Sequence, residues 1–397
     1  MNKSVGVIGL GYVGLPLAIE VAKKGISVIG IDIDKSKIEA LNSGKTSIED
    51  INIGDLKTLT ENGRLEVTSD YSKIVLCDIL LVCVPTPLSN ERVPDLKPML
   101  AAIRSIAAYL KPKTLVIIES TVATGTTRNT VLPLLEELVN FPANEIEVAY
   151  SPERVDPSNK VWSLQNTPKI VSGITQSSKL RAIEFYSNFI SEVIECESVE
   201  IAETAKLLEN SFRFINISFI NEFGIFCNAL GIDINQVVKA AGTKPYGFME
   251  FYPSIGVGGH CIPVDPIYLS DKARQVGSPI RMIELADQIN RDLPSYFVSR
   301  AEKKLNGLEG KKILVVGVSY KPNISDVRET PVFNLISALR NKGAQVSWHD
   351  DLVKKFNGEE STQLSNNFDL AIIATAHDYL DWSKIGNLPI ITSRSSL

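Results

Sequence analysis

Short apolar runs alternate with amphipathic stretches through the first third of the chain. Ser4 to Ile8 predicts a buried strand, Leu15 to Lys24 a helix, and Ile26 to Ile31 a second strand that ends at Asp32. The rhythm continues with a strand over Ile79 to Val84, a helix over Asp95 to Leu110, and strands over Thr114 to Ile118 and Glu145 to Ala149. Residues 198 to 230 read as one long helix, with apolar positions at Ile201, Ala205, Leu208, Phe212, Ile215 and Phe219 in steps of four and three. Such a stripe belongs to a core or to a dimer seam. Shorter helices are predicted over Ile234 to Ala241 and Pro279 to Asn290. Residues 310 to 350 then repeat the amino-terminal pattern. Lys312 to Gly317 matches Lys3 to Gly9, and Lys342 to Asp350 matches Lys24 to Asp32. Phe368 to Ala374 predicts a third strand there, and the charge around residues 353 to 361 predicts only a solvated loop. The class is α/β.

Composition narrows the picture. A chain of 397 residues can build two or three domains, and 44% apolar with 22% charged residues is ordinary for a globular protein. A net charge of −5 provides no basic field for nucleic acid. The five cysteines are scattered and odd in number, and with three histidines they predict neither a disulfide framework nor a metal site, so a reducing cytoplasm is expected. Val5 to Val21 superficially resembles a leader segment, but its glycines and Glu20 predict strand, turn and helix instead. No stretch reads as a membrane span.

The strongest motif is Gly9-Leu10-Gly11-Tyr12-Val13-Gly14, which follows a strand, opens a helix and has Asp32 18 residues beyond its last glycine. Gly9 makes the turn, Gly11 admits a pyrophosphate, Gly14 lets helix and strand pack, and the helix N-terminus attracts the anion. Asp32 would accept from ribose hydroxyls, which favours NAD over NADP; Lys35 and Lys37 lie nearby. Thr86 and Thr121 stand at carboxyl ends of strands, where open α/β sheets bind ligands. Tyr150 to Pro157 brings Glu153 and Arg154 to another such end. Lys206, Asn210 and Arg213 stack on one face of the long helix, and spacing alone favours a solvated face. Gly256 to Tyr268 packs three glycines, Cys261 and Asp265 into one loop between prolines. It serves either a presented nucleophile or a structural cysteine beside a tight turn. The second repeat lacks the full glycine set, and its polar insert Lys321 to Glu329 predicts a second nucleotide site with Lys321 and Arg328 as contacts.

Together these motifs, in this order, resemble the nucleotide-sugar 6-dehydrogenases of the UDP-glucose/GDP-mannose dehydrogenase family over nearly the whole chain. The resemblance implies two Rossmann-like domains joined by a helical segment with one long central helix, divided at 1–195, 196–300 and 301–397. It implies a cytoplasmic homodimer through that helix that binds NAD and a UDP-sugar and serves polysaccharide biosynthesis. Gly9, Gly11, Tyr12, Val13, Gly14, Asp32, Lys37, Thr86 and Thr121 would hold NAD. Glu153, Arg154, Lys206, Asn210, Tyr252, Gly258, Lys321 and Arg328 would hold the substrate. Cys261 would be the nucleophile, with Lys206, Asn210 and Asp265 around it and Glu153 and Thr121 as acid/base and water-positioning groups. The implied reaction takes the C6 alcohol through an aldehyde, a thiohemiacetal and a thioester to the uronate, with two NAD reduced per sugar. Pro152-Glu153-Arg154 and Gly259-His260-Cys261 are similar to the branches acting on UDP-N-acetylglucosamine and UDP-N-acetylmannosamine, and the first is expected here; the UDP-glucose branch usually has Phe after Pro-Glu. Ser158, Ser254, Ile255 and Phe214 depart from the family pattern. The competing expectations are a regulatory protein that holds NAD without turnover and a single-step hydroxy-acid dehydrogenase. The latter would lack the cysteine loop and the second half.

Overall fold

A computed structural model describes residues 4–46, 48, 51–156, 159 and 161–393. Pro157 and Ser158 lie outside the described residues. The chain forms two compact units, Met1–Leu208 and Glu209–Leu397.

The first unit contains β1 (Ser4–Ile8), α1 (Gly14–Lys23), β2 (Ser27–Ile31), α2 (Lys35–Asn42), α3 (Ile53–Glu61), β3 (Leu65–Thr68), β4 (Ile79–Val82), α4 (Lys97–Ala107) and β5 (Leu115–Ile118). It continues with α5 (Leu132–Leu138), β6 (Glu147–Tyr150), β7 (Lys169–Gly173), α6 (Gln176–Tyr186) and β8 (Val193–Glu195). The sheet order is β3-β2-β1-β4-β5-β6-β7-β8, parallel throughout except where β6 meets β7. Both faces are covered, so the central strands need apolar residues on both sides. In β4 Ile79 and Leu81 enter the core shared with α1 and α6, while Leu80 and Val82 enter the core shared with α4 and α5. The order reverses between β1 and β4, which places a crevice at the carboxyl ends of those strands.

Helix α7 (Val199–Leu230) runs across the division. Its predicted stripe is largely exposed in the single chain: Leu208 is 63% and Phe219 60% accessible. Lys206 and Asn210 are buried, against the solvated face that spacing alone favours, whereas Arg213 is exposed.

The second unit adds α8 (Ile234–Gly242), α9 (Asp265–Gln275), α10 (Arg281–Leu305), β9 (Lys312–Val316), α11 (Val332–Asn341), β10 (Gln345–His349), β11 (Lys355–Phe356), β12 (Glu359–Glu360), β13 (Leu370–Ile373) and β14 (Ile390–Thr392). A parallel four-stranded sheet runs β10-β9-β13-β14. Three expectations change. Asp265 opens helix α9 rather than sitting in a loop, because Pro266 falls in the first turn, where a missing N–H costs no bond. Helix α10 extends past Asn290 through Pro294, because Leu293, Phe297, Val298 and Ala301 bury into the core of this unit. The charged segment after residue 353 is a hairpin of β11 and β12, not a bare loop. Asn357 and Gly358 both take positive φ in its turn, and Val353 and Phe356 are buried beneath it.

Candidate active site

In the first unit the glycines answer to different neighbours. A Cβ on Gly14 would stand 1.9 Å from the Gly9 carbonyl oxygen, so the α1–β1 packing excludes one. A Cβ on Gly11 would meet no protein atom within 4 Å, so nothing in the fold demands glycine there. That open space is compatible with the pyrophosphate reading. Val13 gives α1 no side-chain cap, and Tyr12 stands exposed beside the helix N-terminus, the end that favours an anion. Asp32 is buried at the end of β2. Its Oδ2 accepts from the Leu10 N–H at 2.9 Å and the Lys37 Nζ at 2.7 Å, and its Oδ1 from the Asp34 N–H at 3.0 Å. The Thr86 hydroxyl donates to the Thr121 carbonyl at 2.7 Å, which joins the ends of β4 and β5. These residues fit NAD.

At the end of β6, Glu153 Oε1 accepts from the N–H groups of Arg154 (2.7 Å) and Val155 (2.6 Å). Its Oε2 is buried without a partner. The Arg154 guanidinium donates to the Pro168 carbonyl at 2.7 Å. Behind this segment lies a polar cluster that sequence reading missed. Lys169 Nζ is 2.8 Å from Glu119 Oε2 and donates to the Pro152 carbonyl at 3.2 Å, and the Tyr186 hydroxyl donates to Glu119 Oε1. Burial pushes the Glu119 carboxyl above its usual range against the pull of Lys169. Burial opposes the Lys169 charge, yet Glu119 and Glu153 hold that ammonium above its ordinary value. Lys169 and Tyr186 stand 50 and 67 residues from Glu119, so no local pattern marks the group.

In the second unit, Asn210 Nδ2 donates to Asp265 Oδ2 at 2.5 Å, and both side chains are buried. The Asp265 N–H donates to the Cys261 carbonyl at 2.9 Å, so the cysteine sits directly before α9. Cys261 is exposed, whereas burial pushes the thiols of Cys77 (up to about 12), Cys83, Cys196 and Cys227 above the ordinary cysteine range. A structural cysteine would resemble those four. The loop glycines admit the chain's own side chains. A Cβ on Gly258 would lie 2.7 Å from Tyr320 Cβ and one on Gly259 2.9 Å from Tyr320 Cε2, and the Gly259 N–H donates to the Arg328 carbonyl at 2.9 Å. The structure thus brings the cysteine loop against the insert that carries Lys321 and Arg328. The Arg328 guanidinium grips Asp326 through Nε at 3.0 Å and Nη2 at 2.6 Å. Burial and Arg328 hold His260 below the usual histidine range. The Tyr252 hydroxyl donates to Glu250 at 2.8 Å.

Three family models match in register with this layout: the NAD binding domain of the UDP-glucose/GDP-mannose dehydrogenase family over residues 3–190, its central domain over 200–292 and its UDP binding domain over 314–391. The chain belongs to the UDP-glucose/GDP-mannose dehydrogenase family. This dehydrogenase is similar to the protein CapL of Staphylococcus aureus, with 36% identity covering 97% of this chain and 92% of that one. It is also 36% identical to UDP-N-acetyl-D-glucosamine 6-dehydrogenase of Pseudomonas aeruginosa, over 94% of this chain and 90% of that one. The solved UDP-N-acetylmannosamine dehydrogenase of Pyrococcus horikoshii superposes with a TM-score of 0.90 at 32% identity, covering 99% of this chain and 96% of that one. The dehydrogenase therefore uses NAD, and no helix among the described residues is long and apolar enough to cross a membrane.

Proposed function

We propose that the dehydrogenase oxidises the C6 alcohol of a UDP-N-acetylhexosamine to the uronate, with UDP-N-acetylglucosamine as the preferred sugar. The observation that carries the reading is the exposed Cys261 beside the buried Asn210–Asp265 pair. The Gly9–Gly14 turn would hold NAD, which would supply the hydride acceptor for both oxidations at C6. The Cys261 thiolate adds to the aldehyde carbon, and the new C–S bond retains that intermediate in the protein. Lys206 and Asn210 stabilise the oxyanions, with the Asn210 amide held in place by Asp265. Water attacks the thioester, releases the uronate and restores the thiolate. Glu153 Oε2, buried and without a partner, serves as acid/base, with Thr121 positioning water. Arg154, Tyr252, Gly258, Lys321 and Arg328 take part in binding the sugar nucleotide. UDP-N-acetylmannosamine is the second reading, because curated relatives from Methanococcus and Pyrococcus carry that name.

The same reading divides the chain at 1–195, 196–300 and 301–397, and pairs two copies through α7, whose Leu208, Phe212, Phe219 and Phe226 stand exposed in a single chain. Five free thiols fit a reducing cytoplasm. The test is to incubate the protein with NAD and a panel of UDP-sugars and to follow reduced cofactor. UDP-N-acetylglucosamine should give the highest kcat/KM and two reduced cofactors per sugar. Cys261→Ala should bind both ligands yet lose at least a thousandfold in uronate formation. Retention of a tenth of the rate, about 1.4 kcal/mol of barrier, would remove the covalent step.

A further inference from the structure

Between Phe251 and Val264 the chain forms neither helix nor strand, so the N–H groups of the cysteine loop take partners from elsewhere. The Gly259 N–H has the Arg328 carbonyl. Two more partners are asparagines on two different helices. Asn221 Oδ1, on α7, accepts from the Ser254 N–H at 2.7 Å, and Asn290 Oδ1, on α10, accepts from the Val257 N–H at 3.2 Å. Asn290 is itself braced. Its Nδ2 donates to the Ala286 carbonyl at 2.9 Å and to the Ser218 hydroxyl at 2.5 Å, and Ser218 donates to the Phe214 carbonyl at 2.7 Å. Asn221 is 3% accessible, and its Nδ2 has no partner among the described residues. A buried amide satisfied on one side only costs stability, which an apolar residue in its place would avoid. The bond to Ser254 is what that amide supplies.

The loop is also held on both sides of its cysteine. Val257 and Ile262 pack on the small core of Phe214, Ile283 and Ala286. Gly258 to Cys261 is therefore an arc between two anchored points, and two of its four residues are glycines, which hold no conformation by themselves. We propose that Asn290 and Asn221 are positioning residues that fix this arc, so that Cys261 captures the aldehyde before it escapes. Both act through the loop backbone. The inference rests on the reading of Cys261 as the nucleophile. Loss of the first hydride to NAD makes the aldehyde, and addition of the thiolate commits it to a second hydride loss and to uronate. A displaced sulfur makes capture slower than escape, and free aldehyde then leaves with one NAD reduced.

The test measures that partition. Asn290→Ala, Asn221→Ala and Asn290→Asp are each incubated with NAD and the UDP-sugar that the wild type turns over fastest, with semicarbazide present to trap aldehyde. Trapped aldehyde, uronate and reduced cofactor are then counted. Only folded, active molecules contribute to the ratio of products, so loosened folding lowers the total without moving the ratio. Asn290→Ala should raise the aldehyde share by about tenfold or more and bring the cofactor count below that of the wild type. Asn221→Ala should raise it less, because Ser254 lies further along the chain from Cys261. It removes an unpartnered nitrogen together with the bond, so it decides alone if Asn290→Ala does not fold. Asn290→Asp keeps an acceptor for the Val257 N–H and should return most of the partition to uronate. NAD affinity should stay within about twofold throughout. A wild-type aldehyde share in both alanine variants, or an equal rise in Asn290→Asp and Asn290→Ala, would overturn the positioning role. Cys261→Ala separates the two readings. If it releases aldehyde and no uronate while the asparagine variants match the wild type, only the positioning role falls. If it still makes uronate, the nucleophile reading falls with it.

Discussion

Gly9 and Gly317 each end a buried strand at positive φ, 92° and 79°. Each donates its N–H to the carbonyl just before an aspartate, Ile31 at 2.7 Å and His349 at 2.8 Å. The next N–H in each turn, from Leu10 or Val318, reaches that aspartate at 2.9 Å. Beyond this point the two turns differ. Asp32 meets the partly exposed Lys37, and Gly11 beside it faces open space. Asp350 is sealed by His377, with both side chains fully buried and Nε2 3.0 Å from Oδ2. His377 Nδ1 accepts from the Asn323 N–H at 2.9 Å, so the ring proton sits on Nε2 and points at Asp350. One strand–turn–acid plan thus serves as a ligand socket in one copy and an internal fastener in the other. In the second copy, the proposed ligand contacts lie instead in the insert from Lys321 to Glu329.

The largest expected effect comes from treating the turns alike. Gly317→Ala would drive a Cβ to 2.0 Å from the Thr375 carbonyl oxygen at a φ that disfavours side chains, so it should cost ~3 kcal/mol or more of stability, seen as a lowered thermal midpoint. Gly11→Ala should leave that midpoint unchanged and weaken NAD binding at least tenfold. Equal loss of stability in both variants would refute the contrast. Next in size is Asp350→Asn. Burial works against the Asp350 charge, but His377 and the N–H groups of Val318 and Val353 hold its carboxyl below the usual range. A lowered folded-state pKa contributes stability that is fully present above the unfolded value, about 3.9, and lost as pH falls through the folded value. The variant should flatten denaturant stability against pH in that acid window, a test that fails if wild type and variant run parallel there.

A smaller effect, roughly tenfold to a hundredfold, is expected for Asp32→Ala in the ratio of NAD to NADP turnover, because the carboxylate would no longer repel a 2′-phosphate. An unchanged ratio would detach Asp32 from cofactor choice. The smallest is Arg328→Ala. Losing a half-exposed guanidinium should weaken UDP-sugar binding by about tenfold and leave NAD affinity intact, measured by calorimetry with each ligand. Equal loss of both affinities would contradict separate sites.

The first socket was legible in sequence because its parts are local. A strand, three glycines and an acid fall within one short span and carry their own spacing. The repeat at Gly317 was visible for the same reason, but its fastening was not. His377 lies 27 residues beyond Asp350, on a segment with no period linking the two. The burial of Lys206 and Asn210 was hidden likewise, since helical spacing names a face without saying what covers it. Proline misled at Pro266, which opens helix α9 where a loop was expected, and helix α10 outruns its expected end at Asn290 because core residues sustain it through Pro294.

The contact of Gly258 and Gly259 with Tyr320, closed by the bond from Gly259 to the Arg328 carbonyl, has a consequence for modularity. The segment bearing the proposed nucleophile and the segment proposed to grip the nucleotide are fitted to each other's backbone. A chimera that imports residues 318–330 from a relative with another sugar preference would bring its own surface for that fit. Such transplants should keep their turnover only when residues 256–261 travel with them, so new specificities in this fold should be inherited in matched pairs of loops rather than one loop at a time.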